Sequence, residues 1–254
     1  MGEIRYGLED RIVVVTGGSR GIGLEIAREL LNQGAKVVIC GRKKESLDAA
    51  KDMLAAGDRL HAFQAHIAKE DEVENLFKNI MEVLPRVDVL INNVGMNLMT
   101  PAIPDTDFTV WQKIMDSNLS GNYLCSRAAS RIMRKQNSGA IVSVTSIAGR
   151  KASPAMGIYG IAKAGIEMLT KVLASELAQY NIRVNAVAPG MVRTEFSKPF
   201  WSNPEIYGHI AKSIPMARIA EPNEVVHPVL FLASDASAFI TGQTILVDGG
   251  ATAV

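Results

Sequence analysis

The feature that most constrains the fold is a buried strand followed directly by a glycine-rich turn and a helix. Residues 12–15 are a β-branched run, and residues 16–23 read TGGSRGIG. The next residues carry an apolar stripe of helical period, and Gly34 is placed to end that helix. Residues 36–40 (KVVIC) restore a strand. The chain is therefore predicted to begin with a strand-helix-strand unit whose strands are parallel.

Strands and helices are predicted to alternate along the rest of the chain. The seven predicted strands are residues 12–15, 36–40, 60–67, 88–91, 140–144, 182–187 and 244–247. Further helices are predicted at residues 43–56, 71–84 and 107–135, and from an N-cap and proline at Ser153-Pro154 to residue 179. Parallel neighbours need crossover connections. We therefore predict an α/β fold, a single-domain Rossmann-type doubly wound sheet of seven parallel strands with helices on both faces.

Composition argues against several classes of function. The 254 residues include 27 basic and 26 acidic side chains spread along the chain, so we expect no nucleic-acid partner. No apolar run approaches the roughly 18 residues of a membrane span. The four histidines lack metal-ligand spacing, so no metal site is expected. With Cys40 and Cys125 as the two cysteines, a cytoplasmic protein without disulfides is predicted.

The glycines of residues 16–23, called the glycine turn below, suit a phosphate site. Gly17 permits a tight turn, Gly21 lets the backbone approach a pyrophosphate, and Gly23 allows the helix to pack on the strand. The N-terminus of the helix then presents free N–H groups to the phosphates. The alternative is a purely structural turn. We predict a dinucleotide site.

The residues after the second strand favour NADP(H) over NAD(H). Sites that prefer NAD tend to place an acid there to bind the ribose 2′-hydroxyl. In this chain Gly41 is followed by Arg42, Lys43 and Lys44, and Arg20 adds a cation in the glycine turn. Cations without a carboxylate fit a 2′-phosphate. The alternative interpretation is that the basic run is a solvated surface.

Tyr159 and Lys163 are four residues apart, so in a helix their side chains lie on the same face. An ammonium beside a phenol lowers the pKa of the phenol and suits proton transfer to a carbonyl oxygen. Ser146 could hydrogen-bond the same oxygen. This spacing also arises by chance, so the pair needs support from the rest of the chain.

With these motifs placed, essentially the whole chain resembles the short-chain dehydrogenase/reductase family in its single-domain form, near its 3-oxoacyl reductases and tropinone reductases. The matching motifs are the glycine turn, Asn92-Asn93-Val94-Gly95, Asn118, Ser146 with Tyr159 and Lys163, Asn185, Pro189-Gly190, Thr194, Thr241-Gly242-Gln243 and Val247-Asp248-Gly249-Gly250. The resemblance implies that residues 1–254 form one dinucleotide-binding and catalytic domain.

The resemblance also implies a hydride transfer between the nicotinamide and a carbonyl or alcohol carbon. In the reductive direction Tyr159 would be the general acid, and Ser146 would hold the substrate oxygen. Lys163 would bind the nicotinamide ribose and lower the pKa of Tyr159. Asn118 would fix a water that extends the proton relay.

The cofactor site implied by the resemblance extends beyond the glycine turn. Its expected residues are Gly17, Ser19, Arg20, Gly21, Ile22, Gly23, Arg42, Lys43, His66, Ile67, Asn93, Val94, Gly95, Tyr159, Lys163, Pro189, Gly190, Val192 and Thr194. Two positions depart from the family pattern. Val94 replaces the usual alanine, which is expected to crowd the adenosine side. His66 stands where the family often has an aspartate against the adenine, which leaves a backbone contact.

The substrate is predicted to bind beside the catalytic set and under a proline-rich segment at about 190–215, called the substrate loop below. The predicted substrate residues are Met96, Ile147, Met156, Met191, Phe196 and Trp201, with Leu98, Ala148 and Phe200 as further candidates. Their apolar character suits a hydrophobic or bulky ketone. Alternatively, individual methionines belong to the core, and the apolar loop is a subunit interface.

We therefore predict an NADPH-dependent reductase of a ketone or 3-oxoacyl thioester. The resembling 3-oxoacyl reductases have docking arginines where this chain has Asn137 and Tyr180, which favours a free ketone, a diketone or an acyl-CoA over an acyl carrier protein. The alternatives are an NAD-dependent alcohol dehydrogenase working oxidatively and a catalytically inactive nucleotide-binding protein. The expected partner is a small-molecule substrate, and no membrane partner is expected. The resemblance to the family also implies a homotetramer.

Overall fold

The computed structural model describes residues 4–153 and 155–253. Within these residues seven parallel strands form one sheet in the order β3-β2-β1-β4-β5-β6-β7. The strands are β1 Ile12–Thr16, β2 Lys36–Gly41, β3 Leu60–Gln64, β4 Val89–Asn92, β5 Gly139–Val144, β6 Ile182–Pro189 and β7 Thr244–Val247. The predicted fold class, including the number and direction of the strands, is confirmed.

Helices cover both faces of this sheet. They are α1 Gly21–Asn32, α2 Lys44–Leu54, α3 Glu70–Val83, α4 Phe108–Met115, α5 Gly121–Gln136, α6 Gly157–Leu177, α7 Lys198–Trp201, α8 Pro204–Lys212 and α9 Pro222–Ala233. One buried core contains residues of α1, α2 and α9, and a second contains residues of α3, α5 and α6. No helix in the described parts of the chain is long and apolar enough to cross a membrane.

The central strand β1 supplies both cores because its side chains alternate between the two faces. Val13 and Val15 belong to the core with α1, whereas Ile12 and Val14 belong to the core with α5. A strand buried on both faces needs apolar side chains throughout. This requirement explains why the first strand reads as an uninterrupted β-branched run.

Three predicted boundaries are wrong. The third strand ends at Gln64, so His66 and Ile67 lie in the following loop. The helix predicted at 107–135 is interrupted by a π-helical turn at Asp116–Ser120. α6 begins at Gly157 with Met156 as its N-cap, so the predicted start at Ser153 is wrong, and Pro154 lies outside the described residues.

The substrate loop is more regular than expected. It contains α7 and α8, and α9 begins at Pro222, after the end of the loop. Asn203 caps α8 by accepting hydrogen bonds from the backbone N–H groups of Glu205 and Ile206. A short parallel bridge between Val192 and Ala220 joins the start of the loop to the segment between the loop and α9. The substrate loop is therefore a helical segment that is held in place by this bridge just after the end of β6.

Candidate active site

The site lies where the carboxyl ends of four neighbouring strands meet. The glycine turn follows β1, Asn93 follows β4, Ser146 follows β5, and Gly190 follows β6. The strand order reverses between β1 and β4, because the chain extends the sheet first through β2 and β3 and then through β4 on the other side. Ligands of open α/β sheets bind at such a switch point.

The glycine turn has the geometry that its glycines predict. Gly17 and Gly21 have φ angles of 66° and 56°, in the left-handed region that favours glycine. A Cβ added to Gly23 would lie 2.4 Å from the carbonyl oxygen of Gly17 and 2.4 Å from Asn93 Nδ2. Asn93 Nδ2 donates to the carbonyl oxygens of Thr16 and Gly17 at 3.1 Å and 3.2 Å. The turn is thereby tied to the end of β4.

The N-terminus of α1 is open to an anion. Its N-cap residue, Arg20, makes no side-chain cap, so no capping side chain occupies the first N–H groups of the helix. Ser19 lies beside the end of β2, since a Cβ added to Gly41 would be 3.6 Å from Ser19 Oγ. Arg20, Arg42 and Lys43 are exposed, and among the described residues none of the three has an acidic partner.

Ser146 lies beside Tyr159, close enough for its hydroxyl to lower the pKa of the phenol. Ser146 also caps the short turn after β5, where its Oγ accepts from the backbone N–H of Ala148 at 3.2 Å. α6 can approach this turn because residue 160 is glycine: a Cβ there would lie 2.6 Å from the carbonyl oxygen of Ala148. The close approach brings the first turn of α6, which carries Tyr159, onto Ser146.

Lys163 is buried one helical turn beyond Tyr159, with 2% of its surface exposed. Its Nζ donates to the carbonyl oxygen of Val144 at 3.0 Å and lies 5.5 Å from the centroid of the Tyr159 ring. Thr145 Oγ1 donates to the carbonyl oxygen of Lys163 at 3.0 Å. Hydrogen bonds on both sides of Lys163 therefore fix α6 to the end of β5.

Burial controls the protonation of this pair. It raises the pKa of the Tyr159 phenol to about 12, although the neighbouring Ser146 hydroxyl acts to lower it. Burial also lowers the pKa of the Lys163 ammonium to about 8. The expectation that Lys163 brings the pKa of Tyr159 below its ordinary value is wrong for this structure, because desolvation of the phenol is the largest influence. Tyr159 is a protonated donor near neutral pH.

Asn118 occupies the π-helical turn between α4 and α5, and it is fully buried. Its Nδ2 donates to the carbonyl oxygens of Met96 and Ile114, each at 2.8 Å, and its Oδ1 accepts from the N–H of Met96 at 3.2 Å. A Cβ added to Gly95 would lie 3.5 Å from Lys163 Nζ and 3.6 Å from Asn118 Oδ1. Asn118 and Lys163 therefore flank the same glycine. π-Helical turns often occur at functional sites.

The residues predicted near the adenosine have specific neighbours. Val94 contacts the glycine turn, since a Cβ on Gly17 would lie 3.1 Å from Val94 Cγ2. The backbone N–H of His66 donates to Glu72 at 2.7 Å, and Ile67 is buried against Gly121. The carbonyl oxygen of His66 also accepts from the N–H of Lys69 at 2.9 Å, and its ring Nδ1 accepts from the N–H of Ala68 at 3.2 Å, so these groups are already used within the protein.

The structure separates the predicted substrate residues into two groups. The Phe196 ring lies 6.5 Å from the Tyr159 ring, centroid to centroid, and half of its surface is exposed. Ile147, Met191 and Trp201 instead pack against a small buried cluster of Ile214, Ile219 and Ala251. Met96 is bound to Asn118 through its backbone, and Met156 precedes α6. Phe196 is the predicted substrate residue whose ring packs against the Tyr159 ring.

Thr194 lies beside the glycine turn. A Cβ on Gly21 would be 3.7 Å from Thr194 Cγ2, so the substrate loop reaches over the N-terminus of α1. Ser197 was not identified from the sequence. It is 5% exposed and hydrogen-bonds the backbone around Thr194. A serine in a proline-rich loop carries no sequence signal for that role.

Comparison with known proteins identifies the family. The family model described as enoyl-(acyl carrier protein) reductase matches residues 17–252. Dehydrogenase/reductase SDR family member 4 of Bos taurus is 36% identical over 247 residues, which cover 97% of this chain and 88% of that protein. The chain belongs to the short-chain dehydrogenase/reductase family. The resemblance inferred from its motifs is thereby confirmed.

Other proteins are also similar to this chain over nearly its whole length. A 3-oxoacyl-[acyl-carrier-protein] reductase of Synechocystis is 40% identical over 250 residues, covering 96% of this chain and 97% of that protein. A solved structure of a putative gluconate dehydrogenase from Agrobacterium tumefaciens superimposes with a TM-score of 0.95 at 32% identity, covering 99% of this chain and 100% of that one. The chain is therefore similar to reductases and dehydrogenases of a family that binds a nicotinamide cofactor.

Proposed function

We propose that the protein is an NADPH-dependent carbonyl reductase in which Tyr159 is the general acid. The observation that carries this proposal is the placement of the Ser146 hydroxyl beside the Tyr159 phenol, with Nζ of the buried Lys163 5.5 Å from the centroid of the Tyr159 ring. Two neighbouring hydroxyl groups can donate to one carbonyl oxygen as negative charge develops on it. Each position that this chemistry requires is occupied, which disfavours a catalytically inactive nucleotide-binding protein.

The residues at the switch point fit a dinucleotide. The positive φ angles of Gly17 and Gly21 and the uncapped N-terminus of α1 leave backbone N–H groups free for a diphosphate. A Cβ at position 95 would lie in ordinary contact with Lys163 Nζ, 3.5 Å away, so Gly95 borders the lysine. In this proposal the glycine turn holds the diphosphate, Lys163 the nicotinamide ribose and Thr194 the nicotinamide amide.

The cations at the end of β2 support NADP(H) rather than NAD(H). Arg20, Arg42 and Lys43 are exposed near the place where NAD-specific sites carry an acid. A guanidinium binds a phosphate through two parallel hydrogen bonds. A solved structure of a gluconate 5-dehydrogenase from Burkholderia cenocepacia in complex with NADP and tartrate is similar, with a TM-score of 0.93 at 30% identity over 98% of each chain.

Replacing Arg42 tests the cofactor assignment. We expect Arg42→Ala to weaken NADPH binding by about tenfold, the usual effect of losing one charge-assisted hydrogen bond, and to leave NADH binding unchanged. Lys44→Ala is the matched control, because Lys44 Nζ is 2.8 Å from Asp48 Oδ2 and already paired. Calorimetric titration of both reduced cofactors gives the comparison. Equal or tighter binding of NADH by the unaltered protein would contradict the assignment.

In the proposed reduction the protein supplies orientation and a proton. The chemistry that NADPH supplies when bound is a hydride delivered to the carbonyl carbon. Ser146 holds the carbonyl oxygen, and Tyr159 gives it the phenolic proton. A pKa of about 12 keeps that proton on Tyr159 near neutral pH. Lys163 stabilises the phenolate that remains, and Asn118 orients the water through which the proton is replaced.

The proposed substrate is an apolar ketone or a 3-oxoacyl thioester. Phe196 presents an apolar ring beside Tyr159, which suits a hydrophobic substituent on the carbonyl carbon. The guanidinium of Arg134 lies 4.5 Å from the centroid of the Tyr180 ring, so a cation is present where related acyl-carrier reductases have a docking arginine. This contact keeps an acyl carrier protein among the candidate carriers despite Asn137 and Tyr180.

A second candidate is oxidation of a sugar acid, which the similar gluconate dehydrogenase structures favour. The same residues would work in reverse, with Tyr159 accepting the proton of the alcohol. The apolar ring of Phe196 argues against a polyol in this position. Reduction of a carbonyl is therefore the preferred direction.

A substrate panel tests the reaction class. Ketones, diketones, 3-oxoacyl-CoA and 3-oxoacyl carrier protein thioesters are each assayed with NADPH, and gluconate is assayed with NADP+. We expect oxidation of NADPH with an apolar ketone or a thioester. Turnover of gluconate alone would support the second candidate. Failure of every carbonyl compound would contradict the reductase assignment.

We also propose a cytoplasmic homotetramer. Cys40 and Cys125 are buried and free, as in proteins of a reducing compartment. Ile161, Met168 and Val172 are exposed apolar residues on one side of α6. Their spacing of seven and four residues places them on one face of the helix. An exposed apolar stripe of this kind suits contact with another copy of the chain.

A further inference from the structure

We propose that Trp201 and Arg193 are positioning residues that hold Thr194 against the glycine turn and Phe196 against Tyr159. This inference rests on the proposed function. It assigns a different role to Trp201 from the substrate contact expected from the sequence. The indole belongs to the internal structure of the substrate loop, and its effect on the cofactor passes through Thr194.

Ser197 and Trp201 form the inner half of this arrangement. Trp201 Nε1 lies 3.1 Å from the carbonyl oxygen of Thr194 and 3.1 Å from Ser197 Oγ. Ser197 Oγ also accepts from the N–H of Thr194 at 3.1 Å and donates to the carbonyl oxygen of Val192. An indole has one N–H donor. Since that donor is directed at the backbone of residue 194, it is unavailable to a substrate.

Arg193 forms the outer half. Its guanidinium lies 5.0 Å from the centroid of the Trp201 ring and 5.7 Å from that of Tyr207 in α8. Arg193 Nε donates to Glu221 Oε1 at 2.9 Å. Glu221 is the N-cap of α9, which packs on the sheet. The cation therefore connects both short helices of the substrate loop to a fixed helix of the domain.

The two side chains held by this arrangement face opposite parts of the site. Thr194 lies over Gly21, and Phe196 lies over Tyr159. Both are in the segment between Arg193 and Trp201, so a shift of the indole displaces both. Positioning through Trp201 therefore predicts that the effects of changing Trp201 and Thr194 on cofactor binding are not independent.

A double-mutant cycle tests this coupling. Trp201→Phe keeps an aromatic ring beneath Arg193 and removes the N–H, and Thr194→Ala removes the hydroxyl. We expect each single variant to raise the calorimetric Kd for NADPH by about fivefold to tenfold. The double variant should have a Kd no higher than that of the single variant with the higher Kd. Trp111→Phe, the same change at the other tryptophan, in α4, is the matched control and should bind as the unaltered protein does.

Each outcome of the cycle decides the proposal. The positioning role is overturned, while the proposed function stands, if the fold-changes in Kd of the two single variants multiply in the double variant. It is also overturned if Trp201→Phe binds NADPH as the unaltered protein does. No NADPH binding by the unaltered protein overturns both. If Trp201→Phe fails to fold, Ser197→Ala takes its place in the cycle, because Ser197 Oγ accepts both from Trp201 Nε1 and from the N–H of Thr194. The proposal is supported if the Kd of the double variant rises by less than the product of the two single fold-changes and the variants keep the melting temperature of the unaltered protein.

Discussion

The fold shifts the pKa values of Tyr159 and Lys163, the two titratable side chains of the candidate catalytic set. Burial raises the pKa of the phenol from 10.0 to about 12 and lowers that of the ammonium from 10.5 to about 8. Both shifts favour the neutral form, because both charged forms lose solvation. The site therefore stores a proton on Tyr159 and holds a lysine that loses its charge in mild alkali.

The buried Lys163 predicts a particular dependence of stability on pH. Its pKa is lower in the folded protein than in the unfolded chain, so between pH 8 and 10.5 the unfolded chain binds more protons. The free energy of unfolding should then rise with pH, by about 1 kcal/mol per pH unit from this group. Below pH 8 both states are charged, and the contribution is constant.

Lys163→Met removes this contribution. The difference in unfolding free energy between the unaltered protein and the variant should increase in favour of the unaltered protein from pH 8 to pH 10, measured by urea denaturation without cofactor. Tyr159 of the unfolded chain also titrates as the pH approaches 10.0, but it does so in both proteins and therefore cancels in the difference. If the unfolding free energies of the two proteins change in parallel with pH, the pKa of Lys163 is not lowered in the folded protein.

At the scale of elements, the glycine turn and α1 work as one unit because small residues allow close packing. Gly23 is the tightest point, with the carbonyl oxygen of Gly17 and Asn93 Nδ2 each 2.4 Å from a hypothetical Cβ. The first of these atoms belongs to the backbone and cannot rotate away. The approach of α1 to β1, and with it the phosphate site, depends on that glycine.

Gly23→Ala should therefore separate α1 from the turn. We expect a loss of about 1 to 3 kcal/mol in unfolding free energy, the cost of overpacking, together with loss of NADPH binding. Gly208→Ala is the matched control in α8, where a Cβ meets nothing within 4 Å. It should leave binding unchanged and stabilise the protein by about 0.5 to 1 kcal/mol. Similar effects of both substitutions would contradict this account.

The sequence predicts elements well where local pattern and burial agree. The five inner strands form within two residues of their predicted bounds, because strands inside a parallel sheet need apolar side chains on both faces. The edge strand β3 reads LHAFQ and ends three residues before its predicted end. The start of α6 was misplaced because Ser153-Pro154 has the local chemistry of a helix start. In the structure Ala155 instead takes a φ angle of 60°, and its carbonyl oxygen accepts from the N–H of Thr100. Such a long-range contact leaves no local pattern.

In the candidate site, too, the features set by local sequence pattern are predictable and those set by long-range contacts are not. Spacing and motif predict Ser146, Tyr159, Lys163 and the glycine turn, because these residues are local to a helix or to a strand end. The role of Trp201 could not be predicted, since it depends on hydrogen bonds to Thr194 and Ser197 that only the folded loop creates. The direction of the pKa shift of Tyr159 likewise depends on burial, which spacing does not reveal.

For the whole molecule, the exposed apolar face of α6 predicts self-association. Met168 lies on this face with 59% of its surface exposed. Met168→Glu should break the assembly into smaller species, because an interface that buries an unpaired carboxylate is strongly disfavoured. Light scattering after size exclusion measures the mass. Met53→Glu is the matched control, since Met53 in α2 is 57% exposed on another face. A tetramer that survives Met168→Glu, or a monomeric unaltered protein, would contradict the proposed assembly.

The central claim is that Tyr159 donates the proton to a carbonyl oxygen at a site that binds NADPH independently of that hydroxyl. The direct measurement is Tyr159→Phe, assayed for NADPH binding by calorimetry and for turnover with the best substrate of the panel. We predict that binding stays within about twofold of the unaltered protein and that turnover falls by at least about a hundredfold, the contribution of a general acid. Turnover retained in Tyr159→Phe would contradict the account.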